Sequence, residues 1–229
     1  MARSNIILTG GINHDFDDMA AALSEVLAES DFYSEVFSNI DDGFQRINDA
    51  KFDLITLFTL RWRMLDDDKY MPDRQQWAYE ISERDRRNLQ QHVTAGGGLL
   101  AMHTTAICFD TWPAFSKLIG GKWAWGKTFH PPPANIKVNV YDNHPFSVLL
   151  EDFSVTDEVY HNLHMETDSL PLLTTNTSND GSNQLLAWAN HVGSGRVVYD
   201  SLGHDRQSIC EPGHAKFLQT AANWCCGDS

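Results

Sequence analysis

The 229 residues carry a formal charge of −14, with 42% hydrophobic and 21% charged side chains, the balance of an ordinary folded chain rather than a disordered or fibrous one. So acidic a chain is poorly suited to neutralising a phosphate backbone and is repelled by an anionic membrane, which argues against both partners; a neutral small molecule such as a sugar is compatible with it. The length suits one large domain spanning residues 1–229, with a homo-oligomer allowed.

The opening MARSNIILTGG lacks the apolar core of a signal peptide, and no window approaches 18 apolar residues. The four cysteines form neither a CxxC pair nor a disulfide framework, so reduced thiols and a cytoplasmic location are expected. NIILTGG (5–11) reads as a buried strand stopped by two glycines. Phe16, Met19, Ala20, Leu23 and Leu27 then recur at helical spacing and predict a helix over 15–29. YSEVFS (33–38) and DLITLFTL (53–60) are further strands, and Ser82 with Asp85 starts a polar helix that Gly96–Gly98 end. GGGLLAMH is the next strand. This alternation predicts an α/β, doubly wound, mostly parallel sheet with helices on both faces and ligands beyond the carboxyl ends of its strands.

From Thr111 to Tyr160 the pattern is less regular, with PPP at 131–133 and candidate strands NIKVNVYD (135–142) and FSVTDEVY (153–160). This stretch reads as an elaboration on the sheet edge. LPLLTTN, QLLAWAN and GRVVYDSL are later strands, the last two joined by a hairpin through HVGSG. A final helix over 215–225 turns Phe217, Leu218, Ala221, Ala222 and Cys225 inward.

His14, His103 and His204 each fall just after a candidate strand, which sets them on one rim. His103 stands at a strand-to-turn apex, where α/β hydrolases and amidotransferases usually present a Ser or Cys nucleophile. Cys108 lies five residues beyond it, Thr104 and Thr105 lack a GxSxG frame, and Arg206 occupies the place of the Glu in an amidotransferase His-x-Glu pair. Glutaminase chemistry is therefore disfavoured. In DEVYHNLH (157–164) a strand would put Glu158 and Tyr160 on one face and Asp157 on the other. A carboxylate beside a phenol suits acid-base work or a sugar hydroxyl. The HxxH spacing of His161 and His164 is a weak metal signal. His14, His103, His130 and His204, with Glu158, have the composition of a site for Zn or another first-row metal, although only tertiary folding could gather them. Trp112, Trp123, Trp125 and Phe129, interleaved with glycines, offer either stacking surfaces for a pyranose or core residues. Asp66–Asp68 reads as a solvated loop.

GGINHDF, GGGLLAMH, LIGGKWAWGKTFH, DEVY and GSGRVVYDSLGHD, in this order before a Trp-containing final helix, resemble the trehalose-utilisation (ThuA-like) family from about Ile6 to Trp224. The resemblance implies a flavodoxin-like sandwich of the class I glutamine amidotransferase type, without a nucleophilic cysteine at the elbow. It also implies that His14, His103, His130, Asp157, Glu158, Tyr160 and His204 surround a shared pocket, and it links the chain to catabolism of trehalose and related disaccharides, including 3-keto sugars.

The expected activity is acid-base processing of a disaccharide-derived or 3-keto sugar by hydrolysis, elimination or isomerisation. Glu158 or His103 would be the base, His204 a proton donor or ligand, and a divalent metal or an imidazolium would stabilise an enolate. His14, Asp157, Tyr160 and Trp125 would contact the sugar. Two rivals remain: a non-catalytic sugar-binding or regulatory protein, and a cysteine amidase using Cys108.

Overall fold

The structure, a computed structural model, describes residues 2–142, 144–166, 168–176 and 183–227. Strand β1 (Arg3–Gly10) alternates its apolar side chains: Ile7 joins one hydrophobic cluster, Ile6 and Leu8 the other. That period of two forces a covering layer onto each face. Helix α1 (Phe16–Ala28) supplies the first, with Asp15 capping it and Phe16, Met19, Ala20, Leu23 and Leu27 buried. The chain continues through β2 (Phe32–Phe37), α2 (Ile40–Asp49) and β3 (Leu54–Thr59) to a short α3 (Arg74–Trp77). Ser82 caps α4 (Glu83–Thr94), which leads into β4 (Gly98–Met102).

After β4 come α5 (Phe115–Ile119), β5 (Gly121–Lys122), β6 (Ala134–Val140), β7 (Phe153–Asp157), β8 (His164–Met165), β9 (Leu170–Thr175), β10 (Gln184–Val192) and β11 (Gly195–Asp200). A short α6 (Arg206–Ile209) and the long α7 (Pro212–Cys225) close the chain. Among the described residues one sheet runs in the order β2-β1-β3-β4-β11-β10-β9-β6-β7, and β5 pairs separately with β8. Helices α1 and α7 cover one face, while α2, α4 and α5 cover the other.

The expectation of a mostly parallel sheet holds from β2 to β11. Beyond β11 every pairing is antiparallel. The reason is local: the β10–β11 connection is too short for a crossover, so the strands must return on themselves. The sheet is accordingly mixed. β6 and β7 lie at its edge, where the irregular middle of the sequence was expected.

The expected strand over 153–160 stops at Asp157. The Asp157 carboxylate accepts the Glu158 N–H at 2.6 Å and the Gly203 N–H at 2.7 Å, which turns the chain out of the ladder. Glu158 and Tyr160 therefore stand on a loop. No helix among the described residues is long and apolar enough to cross a membrane.

Candidate functional site

His103 follows β4 directly and has φ +47, a left-handed conformation unusual for a residue with a Cβ. Three hydrogen bonds hold it there. The Thr104 hydroxyl donates to the Thr59 carbonyl and the Thr105 hydroxyl to the Leu57 carbonyl, each at 2.8 Å, and the Tyr199 hydroxyl donates to the His103 carbonyl at 2.8 Å. The two threonines are thus clamps on the turn rather than free nucleophiles.

The His103 Nδ1 lies 2.6 Å from the Ser201 carbonyl. A carbonyl only accepts, so Nδ1–H donates and Nε2 keeps its lone pair. That lone pair faces Nε2 of His14 at 3.2 Å and accepts from the Tyr160 hydroxyl at 3.0 Å. The His14 Nδ1 in turn donates to the Ile12 carbonyl at 3.3 Å. Two imidazole acceptors consequently point at one another.

Glu158 completes the group from the opposite side. Its Oε2 lies 3.8 Å from His103 Nε2 and 3.4 Å from His204 Nδ1. Yet neither Glu158 Oε2 nor His204 Nδ1, both buried atoms, has a hydrogen-bond partner. One ligand atom from each of His14, His103, Glu158 and His204 lies within 4.8 Å of the others. Nitrogen and carboxylate donors so disposed suit a first-row divalent metal, which would engage the facing lone pairs and the orphaned atoms together.

The electrostatics agree for His14 and His103. Burial, reinforced by neighbouring His14, pushes His103 down to about 3, and burial also lowers His14; both are neutral and able to coordinate. Burial pushes Glu158 upward, but His130 and His204 outweigh it and hold the carboxyl well below the usual range. His204 and His130 are raised, in each case chiefly by contact with Glu158.

His130 stands outside this group, contrary to its expected place among metal ligands. Its Nδ1 lies 3.2 Å from Oε1, the other oxygen of Glu158. Glu158 Oε2 is the fourth atom of the group. His130 also lines a cavity of about 320 Å³ with His14, Trp123, Trp125, Thr128 and Tyr160. Trp125 is 39% exposed and stacks at 6.3 Å on Trp62. Trp123 and Phe129 line the same cavity, whereas Trp112 is a core residue against Phe115.

Asp157 departs from its expected role. It is 1% exposed and turned away from the cavity, into a second polar cluster where Ser208 donates to its Oδ2. There His214 Nδ1 donates to the Ser208 carbonyl and Nε2 to Asp200 Oδ2, each at 2.8 Å. His161 and His164 lie away from both clusters, on the β5–β8 side.

The amidase rival fails on Cys108. Its Sγ donates to the Thr59 carbonyl and accepts the Arg61 N–H, each at 3.2 Å, while burial pushes the thiol up to about 12. Such a thiol supplies no thiolate near neutrality. Arg61, two residues past the end of β3, is a rim residue that the pattern of histidines does not reveal; its position after a strand is the signal for it.

A profile of the trehalose-utilisation family, ThuA, matches residues 6–225. The chain belongs to the ThuA family. Its fold resembles that of a ThuA-like protein from Parabacteroides merdae, at 17% identity and TM-score 0.78, over 99% of this chain and 91% of that one. A ThuA-like protein from Bacteroides uniformis is similar at 17% identity and TM-score 0.69, over 98% and 91% of the two chains. The β-galactosidase of Rahnella sp. R3 matches at 15% identity and TM-score 0.62, with 98% of this ThuA chain lying on 31% of that enzyme. No curated protein matches the ThuA chain in sequence at a significant level. Membership associates it with trehalose utilisation and carbohydrate metabolism.

Proposed function

We propose that the chain is a carbohydrate-processing enzyme acting on a disaccharide-derived or 3-keto sugar, with His14, His103, Glu158 and His204 as ligands of a divalent metal. The observation that carries this reading is the pair of imidazole lone pairs facing one another at 3.2 Å beside two orphaned polar atoms. Buried acceptors in such an arrangement are costly without a cation. A bound metal would supply Lewis-acid polarisation of a sugar oxygen.

The chain's own residues account for the rest. Trp125 and Trp123 offer apolar faces to a sugar ring in the 320 Å³ cavity, as aromatic side chains do for the C–H faces of pyranoses. His130, exposed at this wall and raised by contact with Glu158, can carry a proton. It suits the base role better than His103, whose basicity burial removes, or Glu158, which its two histidine neighbours hold ionised. On a 3-keto glycoside, His130 would take the acidified C2 proton as the C1–O bond breaks and the C1=C2 bond forms. The departing oxygen then takes that proton from His130, which returns the base to its starting state. The Tyr160 hydroxyl, raised by burial, stays protonated as a hydrogen-bond donor at this wall.

The strand order β2-β1-β3-β4-β11 supports a flavodoxin-like, class I amidotransferase type of fold in one domain, and four free cysteines suit the cytoplasm. Elemental analysis of the purified protein, with turnover of 3-keto-trehalose before and after chelation, tests the reading. One metal per chain and activity lost on chelation are expected. Turnover indifferent to chelation would sink the metal assignment, and failure to convert any keto sugar would sink the activity.

A further inference from the structure

A second and larger cavity, about 610 Å³, opens on the other side of His14. It lies at the carboxyl ends of β1, β2 and β3, lined by Gly10, Ser38 and Arg61 from the segments that leave those strands. The chain passes from β1 outward to β2 and then back to β3 on the opposite side, so this is the switch point where doubly wound sheets open a crevice for ligands. Arg61 is 7% exposed. Its Nε has no hydrogen-bond partner, and its Nη2 donates a long 3.5 Å bond to the Ser38 carbonyl. Trp77 covers one face of the guanidinium, 4.5 Å from Cζ to ring centroid.

Asp41 acts on Arg61 only through space. Among the described residues no carboxylate forms an ion pair with Arg61, although Asp15, Asp17 and Asp41 line the same cavity. Asp15 instead caps α1, and Asn39 caps α2. Gly10 (φ +102) makes room for the arrangement: a Cβ there would come within 2.9 Å of the Ser38 carbonyl and 3.1 Å of Arg61 Nη2. A buried guanidinium held open to a cavity is costly unless an anion arrives to pair with it.

We propose that this cavity receives a carboxylate carried by the substrate, paired with Arg61, so that the sugar processed beside His14 is an acidic one of the uronic-acid class. The proposal rests on the carbohydrate reading above. A carboxylate fits better than a phosphate, because its single charge and planar shape match one guanidinium fork, whereas a dianion would meet the three aspartates with only one cation to offset them.

Calorimetric titration of the wild-type protein with glucuronate, glucose and glucose 6-phosphate tests this. Glucuronate is expected to bind about tenfold tighter than glucose or more, with the margin narrowing at high salt. Arg61→Gln should erase the preference, and Arg61→Lys should retain part of it; the wild-type comparison decides even if a variant fails to fold. Equal affinity for glucuronate and glucose would overturn the acidic-substrate assignment while leaving the carbohydrate reading intact. Tighter binding of glucose 6-phosphate would overturn the choice of carboxylate. No binding of any of the three would overturn both readings together.

Discussion

Two buried clusters in this molecule are built from the same residue types, and they differ in one respect. Around His214, every hydrogen meets an acceptor: Nδ1–H the Ser208 carbonyl, Nε2–H the Asp200 carboxylate, and the Ser208 hydroxyl Asp157. Around His103, the Nε2 that Tyr160 serves also faces the His14 acceptor, and Glu158 Oε2 and His204 Nδ1, 3.4 Å apart, are buried without a hydrogen bond. The closed network ties α7 and α6 to the ends of β11 and β7, and needs nothing further. The open one leaves hydrogen-bonding capacity unused. A buried histidine and carboxylate therefore say little by themselves; whether their donors and acceptors balance separates a brace from a binding site.

Breaking the open cluster should have the largest effect. His103→Ala is expected to abolish stoichiometric metal binding and turnover while leaving the chain folded, as read by elemental analysis and circular dichroism. In the wild-type protein, a metal at a hundredfold excess over its Kd should raise stability by about 2.7 kcal/mol, and this increment should vanish in the variant. A metal-independent melting curve for the wild type would erase the contrast between the clusters. Next in size, His130→Ala should lower kcat by roughly 10²–10⁴-fold, the usual worth of a general base, with metal stoichiometry unchanged. Loss of metal in that variant would return His130 to the ligand set.

The closed cluster should respond in stability instead. His214→Gln strands Asp200 and is expected to cost roughly 3–5 kcal/mol by denaturant titration, with bound metal retained. Burial pulls the His214 pKa down, but Asp200 and the surrounding acceptors carry it above its usual value. A base raised on folding contributes stability that is complete below its unfolded pKa and is lost as pH climbs through the folded one. The wild-type advantage over His214→Gln should accordingly shrink on the alkaline side. An advantage that grew with pH would show that His214 is neutral. The smallest effect belongs to the cavity wall: Trp125→Ala should weaken sugar binding by several-fold, a loss of about 1 kcal/mol, without touching either cluster.

Much of the fold was legible because apolar runs and helical spacing act locally. The strands at NIILTGG and GGGLLAMH, the helix opened by Phe16 and the closing helix all follow that logic. Helix α2 is harder to read: Ile40, Gly43, Phe44 and Ile47 recur at helical spacing, but the stripe is short, holds a glycine and sits among polar residues. The rim rule found His14, His103 and His204, because strand ends bring residues together whatever their spacing in sequence. It could not separate Asp157 from Glu158. Those neighbours point to different clusters because a backbone N–H is captured by a side chain, a three-dimensional event that no period of two encodes. The same holds for His130, which faces the outer oxygen of Glu158 rather than the inner one.

The left-handed backbone at His103 has a consequence for how this position can change. For a residue with a Cβ that conformation costs roughly 1–2 kcal/mol, and glycine would adopt it freely. His103→Gly should thus forfeit less stability than His103→Ala, so selection for a sturdier fold and selection for the imidazole pull this position in opposite directions. A lineage that no longer needed the reaction would be free to settle on glycine at the end of β4, and the residue found there would record whether the chemistry had been kept.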